Sequence, residues 1–294
     1  MTINEVNCWI QQEIGIAVQS MKRLPGSTSS ILHEVVSETS TVVLRQFDNA
    51  EWLMEEPDLV QHEAASLRKA SASGLPAPLL IAFDETGEAS GLPSILMTKV
   101  GGQVELLPSD FVKWTDGLAK ILAMIHRVEA DDFSWKYASY THRDAVQLPE
   151  WTKKSAVWQS AFERLQGKMP AFRETFIHRD FHPANVLWLG DEVSGVVDWP
   201  NACIGPAGID VGHCRVNLAL LYSVEVADLF LEAYKKHAGS SFTYDLYWDI
   251  VSAFDFLDGP PTVYSGWEAF GVTGLTDEMM EQRMDAFVGS LVLE

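Results

Sequence analysis

The chain has 294 residues, and 41 acidic residues against 21 basic ones give it a formal net charge of −20. This charge argues against nucleic-acid binding, because a phosphate backbone requires a cationic surface. It favours a cationic partner, although an acidic surface can also serve only to keep a protein soluble. Hydrophobic residues make up 47% of the chain, which is therefore globular in composition and long enough for one large domain or two lobes.

The N-terminal segment and the cysteines indicate a cytoplasmic protein that does not contact a membrane. Residues 1–18 have no basic segment ahead of an apolar run, so they predict an amphipathic helix and not an export signal. No stretch is apolar enough to span a bilayer. Cys8, Cys203 and Cys214 are widely spaced and odd in number, unlike a disulfide framework or a zinc cluster, which fits a reducing compartment.

The first third of the chain predicts a small sheet that carries one helix. ILHEVVS (residues 31–37) and TVVLRQF (residues 41–47) are apolar, β-branched runs on either side of a three-residue turn, and they predict a hairpin. Residues 57–74 show helical spacing between a proline and a glycine. LPAPLLIAFD and LPSILMTKV then predict two further strands.

Beyond the KVGG sequence the pattern becomes helical. Apolar residues recur at helical spacing in six segments: residues 110–129, 151–166, 208–222, 223–238, 243–257 and 276–290. One strand–loop–strand–turn–strand stretch, TFI-HRDFHPAN-VLWL-GDEVS-GVVDW, interrupts them. The sequence therefore predicts an α+β, bilobal chain: a β-rich N-terminal lobe (residues 1–98), a hinge near residues 97–102 and a larger helical lobe (residues 99–294). A cleft between two lobes is a natural ligand site.

The tripeptide HRD occurs twice, and the flanking residues of the second copy predict a reaction centre. His178, Asp180 and Asn185 form H-x-D-x-x-x-x-N on a loop between two apolar strands, and Asp198 ends the strand that returns. This hairpin brings Asn185 and Asp198 to the same edge, where two oxygen ligands suit Mg²⁺. Asp180 is a separate carboxylate that can accept a hydroxyl proton. Base, metal ligands and cleft are the components of phosphoryl transfer.

The first HRD copy, residues 142–144, lacks these features. Five residues beyond Asp144 stands Pro149, which offers no side-chain ligand to a metal, and no apolar strand precedes the tripeptide. We interpret this copy as structural or solvated, with a role at the substrate entrance as the alternative.

The sequence FIHRDFHPANVLW…GVVDW resembles the aminoglycoside phosphotransferase family of small-molecule kinases. The resemblance covers nearly the whole chain, through VVLRQF, HEAASLRKA, ILMTKVGG, LAKILAMIH and GPAGIDVGHCRVNLA. It implies a protein-kinase-like fold with a nucleotide in the cleft, ATP or GTP as the phosphate donor, Mg²⁺, and a small cationic acceptor that bears a hydroxyl. A monomer and a homodimer are both compatible with it.

The resemblance also implies individual roles around the loop. Asp180 would be the catalytic base, or would at least orient the acceptor hydroxyl, while Asn185 and Asp198 would hold Mg²⁺. His178, grouped with the catalytic residues, would support the loop. Asp210 resembles the aspartate that accepts backbone N–H bonds from the catalytic loop, and it is equally compatible with a plain helix cap.

On the nucleotide side, Arg45 stands where the family has a strand lysine, with Glu63 as its expected partner. Glu63 lies beside an apolar helical stripe, where a carboxylate needs a partner, although a glutamate at the stripe edge in water fits the spacing too. Gly26 and Ser27 can offer donors to phosphate, but a simple turn explains them equally well. The run that resembles the hinge adds three further nucleotide-binding candidates: Met97, Lys99 and Val100.

Other functions remain open at this point. A protein kinase is disfavoured, because Trp199-Pro200 follows the metal aspartate and too few residues follow for a long activation loop. Kinases of choline, homoserine, methylthioribose, fructosamine or macrolides share the core motif, and a nucleotide-binding protein without catalysis is a further alternative. Residues 243–258 supply aromatic and acidic candidates for the acceptor site, which also suit an ordinary buried helix: Tyr244, Asp245, Tyr247, Trp248, Asp249, Asp255 and Asp258.

Overall fold

The computed structural model describes residues 3–26, 29–130, 132–140, 144, 146–240, 242–257 and 259–292. Its N-terminal part contains a five-stranded antiparallel sheet with the strands β1 (Val18–Arg23), β2 (Ile31–Ser37), β3 (Thr41–Gln46), β4 (Leu80–Asp84) and β5 (Ser94–Thr98). The order across the sheet is β1-β2-β3-β5-β4. The predicted hairpin is confirmed, since β2 and β3 pair with Val36 opposite Thr41.

Helices cover both faces of this sheet. Helix α1 (Ile3–Ile14) packs Trp9 and Ile10 against one face of the sheet. Helix α3 (Leu59–Ala72) covers the other face, and the short helix α2 (Ala50–Glu55) connects strand β3 to α3. Successive side chains of a strand point to opposite faces. Leu44 of β3 accordingly packs towards α1, and its neighbour Arg45 points towards α3. Because of this alternation, the buried side chain of Arg45 lies on the face of the sheet that is towards α3 and the C-terminal part of the chain.

The second part of the chain is mainly helical. Its helices are α4 (Phe111–Ile125), α5 (Ser155–Gln166), α6 (Ala207–Leu221), α7 (Val224–Ala238), α8 (Tyr247–Asp255) and α9 (Asp277–Val292), which confirms the six predicted segments. Helix α6 is central and almost entirely buried, and its polar side chains Asp210 and Arg215 are buried with partners. A Cβ at Gly212 would lie 2.5 Å from the carbonyl oxygen of Trp248, so only glycine permits the close approach of α6 and α8.

Short strands between α5 and α6 form the predicted loop region. β7 (Glu174–Ile177) pairs with β10 (Cys203–Pro206), and β8 (Val186–Leu189) pairs with both β6 (Gln103–Val104) and β9 (Glu192–Val196). One loop follows β7 and leads into a short 3-10 helix, Pro183–Asn185, and a second loop follows β9. The backbone N–H of Val197 donates to the carbonyl of Asn185 at 2.9 Å, which ties the two loops together.

The α+β prediction, a β-rich N-terminal part followed by a mainly helical part, is confirmed by this architecture. The division into residues 1–98 and 99–294 stays a prediction. In the described parts of the chain, no helix combines the length and the apolar character needed to cross a membrane.

Candidate active site

Asp210, in the first turn of α6, holds the loop that follows β7. Its Oδ2 accepts a hydrogen bond from the backbone N–H of His178 and its Oδ1 accepts one from Arg179, both at 2.7 Å. Nε2 of His126 lies 3.0 Å from Oδ2. Burial raises the pKa of Asp210, but His126 and the contacts with His178 outweigh burial, and the pKa lies below its ordinary value. The ionised carboxylate thus braces a loop whose Arg179 has a left-handed φ of 69°.

Asp180 follows this braced segment and is held through both carboxylate oxygens. Oδ1 lies 3.1 Å from Nε2 of His213 in α6, and Oδ2 accepts a hydrogen bond from Nδ2 of Asn185 at 3.3 Å. Burial would raise the pKa of Asp180, but the imidazoles of His182 and His213 outweigh it and hold the pKa well below the ordinary value. The side chain is 31% exposed, so an ionised carboxylate remains accessible to a hydroxyl.

Asn185 and Asp198 present oxygen atoms to one cavity. Nδ2 of Asn185 donates to the carbonyl of Asp180 at 2.9 Å as well as to its carboxylate, so the amide oxygen is left as the acceptor of this side chain. Asp198 follows β9 with a φ of 69°, and both residues line a cavity of about 780 Å³. An amide oxygen and a carboxylate are donors that Mg²⁺ accepts, with phosphate and water completing its shell. The donor chemistry therefore fits the expected metal.

Arg45 links three parts of this cavity. Its Nη1 donates to Oε1 of Glu63 at 2.9 Å and to Oδ1 of Asp198 at 2.7 Å, and its Nε donates to Oγ of Ser30 at 3.0 Å. Burial would lower the pKa of Arg45, but Asp198 and Glu63 outweigh it and raise the pKa above its ordinary value. The structure thus joins Arg45 to its expected partner and also to Asp198, a contact that the sequence did not indicate.

The other nucleotide-binding candidates lie around the same cavity. Gly26, Met97 and Val100 line it, as does Lys99, whose Nζ forms an ion pair with Glu34. The backbone at Gly26 has a φ of 89°, and a Cβ there would meet the ring of Phe270 at 2.8 Å, so the turn between β1 and β2 packs tightly on the C-terminal part of the chain. Ser27 lies outside the described residues.

His178 has a different position from the rest of the motif. It is fully buried, and its Nε2 lies 3.0 Å from the carbonyl oxygen of Val197. His178 lines neither this cavity nor the second cavity that adjoins it. Its contact with Val197 ties the loop after β7 to the loop after β9.

A second cavity, of about 800 Å³, adjoins the first. Four residues line both: Ser29, His182, Asp198 and Tyr264. Of these two cavities, Asp180 lines the second and Asn185 lines the first. The walls of the second cavity are aromatic and acidic: Trp52, Tyr140, Phe256, Tyr264 and Trp267 stand with Glu55, Glu56, Asp180 and Asp198. Among the described residues that line it, there is no lysine or arginine.

The sequence missed several residues of these cavities. His182 stands inside the motif, and His213 follows Asp210 by three residues on the same helix face, so a local signal existed for both. Trp52 and Glu56 belong to or flank α2, which has no buried residues and hence no periodic signal. Their role depends on tertiary contacts that local patterns do not encode.

Most of the acceptor candidates from residues 243–258 have structural roles. Asp249 is buried in an ion pair with Arg215 and accepts a hydrogen bond from Tyr244 at 2.8 Å. Among the candidates that the structure describes, Asp255 contacts the loop, with its Oδ2 3.4 Å from Nη2 of Arg179. Asp258 lies outside the described residues. Of the first HRD copy, Asp144 is exposed, and residues 142 and 143 lie outside the described residues.

Solved structures show that this architecture is the aminoglycoside phosphotransferase variant of the protein-kinase-like fold. A putative aminoglycoside phosphotransferase from Ralstonia eutropha JMP134 is 16% identical, with a TM-score of 0.64 over 97% of this chain and 98% of that chain. A thermostable mutant of aminoglycoside phosphotransferase APH(4)-Ia, in a ternary complex with ADP and hygromycin B, is 18% identical, with a TM-score of 0.65 over 97% and 98%. At these identities the similarity shows the fold alone.

The chain belongs to the phosphotransferase enzyme family, whose sequence profile matches residues 21–248. The resemblance noted in the motif region is thereby confirmed. A homoserine kinase from Methylocella silvestris is 29% identical over 163 residues, which are 49% of this chain and 48% of that kinase. The chain therefore matches about half the length of this relative.

Proposed function

We propose that the protein is a small-molecule kinase, which transfers the γ-phosphate of ATP or GTP to a hydroxyl of a small cationic acceptor such as an aminoglycoside. One observation carries this proposal. Two cavities of similar size meet at Asp198 and His182, with Asn185 on one side of the junction and Asp180 on the other. A nucleotide in the first cavity and an acceptor in the second would bring phosphate and hydroxyl together at that junction.

Four residues at or near the junction have a part in this reaction. Asp180 accepts the proton of the acceptor hydroxyl, or orients it, as the new O–P bond forms and the nucleoside diphosphate leaves. Arg45, kept charged by Glu63 and Asp198, lines the first cavity and attracts the phosphates there. Asn185 and Asp198 would hold Mg²⁺, which supplies neutralisation of phosphate charge when it is bound.

The lining of the second cavity supports a cationic acceptor. Carboxylates attract ammonium groups, and Trp52, which lines the cavity with Glu56, is an aromatic side chain of the kind that forms cation–π contacts. The net charge of −20 adds a long-range attraction of the same sign. Among the described residues that line this cavity there is no lysine or arginine for a carboxylate on the acceptor molecule, and Arg179, which lines a smaller cavity together with Asp180, is paired with Asp255.

Homoserine is the second candidate acceptor, favoured by the similarity to homoserine kinase. Homoserine carries both an ammonium and a carboxylate group, so its carboxylate needs a cationic partner. The lining described above favours an acceptor that has the ammonium group alone. These two candidates therefore differ in a property that one matched pair of compounds can test.

The test is a phosphorylation assay read by product mass, with Mg·ATP and Mg·GTP as donors. Acceptors are hygromycin B, choline, homoserine, methylthioribose and a fructosamine, together with 3-amino-1-propanol, which is homoserine without its carboxylate. We expect phosphorylated product from amines without a carboxylate, and a higher kcat/KM for 3-amino-1-propanol than for homoserine. The reverse order would favour homoserine as the acceptor. Nucleotide binding without product from any acceptor would favour the non-catalytic alternative.

A further inference from the structure

His213 of α6 contacts the carboxylate at the centre of the proposed reaction. Its Nε2 lies 3.1 Å from Oδ1 of Asp180, and its side chain is 16% exposed. The imidazole packs against Phe256 at 5.3 Å between ring centroids, and it also lines the second cavity. Asp210, one turn earlier in α6, accepts hydrogen bonds from the backbone of the loop that follows β7. Helix α6 therefore holds this loop through two side chains, Asp210 and His213.

The geometry fixes the direction of this hydrogen bond. A carboxylate oxygen accepts hydrogen bonds, and Oδ1 of Asp180 faces Nε2 of His213 at 3.1 Å. Nε2 of His213 must therefore carry the hydrogen. Asn185 donates to the other oxygen at 3.3 Å, so the carboxylate is held from two sides by two different elements. His182, with its Nε2 3.9 Å from Oδ1, is too distant to replace His213.

We propose that His213 is a positioning residue, which holds Asp180 in the rotamer that presents its carboxylate to the acceptor hydroxyl. This inference rests on the proposed function. Rotation of the carboxylate would break the contacts with both His213 and Asn185, so the two donors select one orientation. The reacting oxygens must be held within fractions of an ångström. A hydrogen bond from His213 to the charged carboxylate of Asp180 is stronger than one between neutral groups, so it can hold the carboxylate in place.

Two other roles for His213 predict different kinetics. If the imidazole only bound the acceptor, its loss would raise the acceptor KM and leave kcat unchanged. If it only filled space between α6 and Phe256, its loss would lower the unfolding temperature without a specific effect on kcat. A positioning role requires a lower kcat at saturating substrates, with an unchanged KM for the nucleotide.

The experiment compares His213→Leu with His213→Gln, using the nucleotide and acceptor that give the highest turnover. Leucine keeps the volume but removes the donor, whereas the amide nitrogen of glutamine reaches close to the position of Nε2. We expect His213→Leu to lower kcat by about tenfold or more, the effect of one hydrogen bond to a charged group. His213→Gln should recover most of that loss.

His237→Leu is the matched control, because it removes the same kind of contact away from the site. Nε2 of His237 lies 2.9 Å from Oδ1 of Asp116, and His237 lines neither cavity. Its kcat should stay within about twofold of the unchanged protein. Unchanged kcat in His213→Leu, equal losses in the leucine and glutamine variants, or a change in acceptor KM alone would each overturn the inference. Absence of turnover in the unchanged protein would refute the proposed function itself, and the inference with it.

Discussion

The pairing of Arg45 with Glu63 makes a quantitative prediction about stability. Both side chains are buried, and they meet at 2.9 Å. Arg45→Met leaves Glu63 without its cation, and breaking a buried pair in this way costs about 3–5 kcal/mol. Burial already raises the pKa of Glu63, so the lone carboxyl group becomes protonated more easily and the cost should lie near 3 kcal/mol. Glu63→Gln should cost less, about 1–3 kcal/mol, since Arg45 keeps Asp198.

A double-mutant cycle measures how strongly the two residues depend on each other. Arg45→Met/Glu63→Gln leaves no buried charge unpaired, and Asp198 loses its partner in both Arg45 variants alike. The loss of unfolding free energy in the double variant should therefore fall short of the summed single losses by about 2 kcal/mol. The four proteins are compared by urea denaturation at neutral pH. The control cycle uses Lys113→Met and Asp191→Asn, a 2.6 Å pair whose side chains are 55% and 77% exposed. Its coupling should be at most about 0.5 kcal/mol. Equal coupling in both cycles would refute the reasoning.

Two further predictions concern the proposed metal ligands and the loop brace. Asn185→Ala should raise the Mg²⁺ concentration needed for half-maximal turnover, and Asp198→Ala should raise it more because it removes a charge; unchanged Mg²⁺ dependence in both variants would contradict their assignment. Asp210→Asn should lower the free energy of unfolding at neutral pH by about 2 kcal/mol. Because the folded pKa of Asp210 is depressed, this contribution is present above the unfolded value of about 4 and is lost as pH falls below it. If the difference in unfolding free energy between Asp210→Asn and the unchanged protein stayed constant from neutral pH to below pH of about 4, Asp210 would not act as an ionised carboxylate.

Much of the fold could be predicted because its elements have clear periodicity. The β2–β3 hairpin and the long helices repeat apolar residues at the spacing of their own geometry. Strand β1 lies at the sheet edge with most of its side chains exposed, so it lacks the alternation of a half-buried strand. Helix α2 is only six residues long and buries none of them, so no apolar stripe indicates it.

The site separates in the same way into local and long-range parts. His178, Asp180 and Asn185 are close in sequence, and their spacing was enough to predict the loop. The contact between Arg45 and Asp198 joins residues that are 153 positions apart. Periodicity says which face of an element is buried but not which distant side chain it meets, so this contact and the walls of the second cavity required the structure.

The most direct test of the central claim compares the two HRD aspartates in one assay. Asp180→Asn keeps the shape of the side chain but removes the carboxylate, so kcat at saturating Mg·nucleotide should fall roughly 10²–10⁴-fold while nucleotide binding persists. Asp144→Asn makes the same change at an exposed residue of the other copy, and kcat should stay within about twofold of the unchanged protein. An inactive Asp144 variant, or two variants of equal activity, would contradict the assignment of the active site to Asp180.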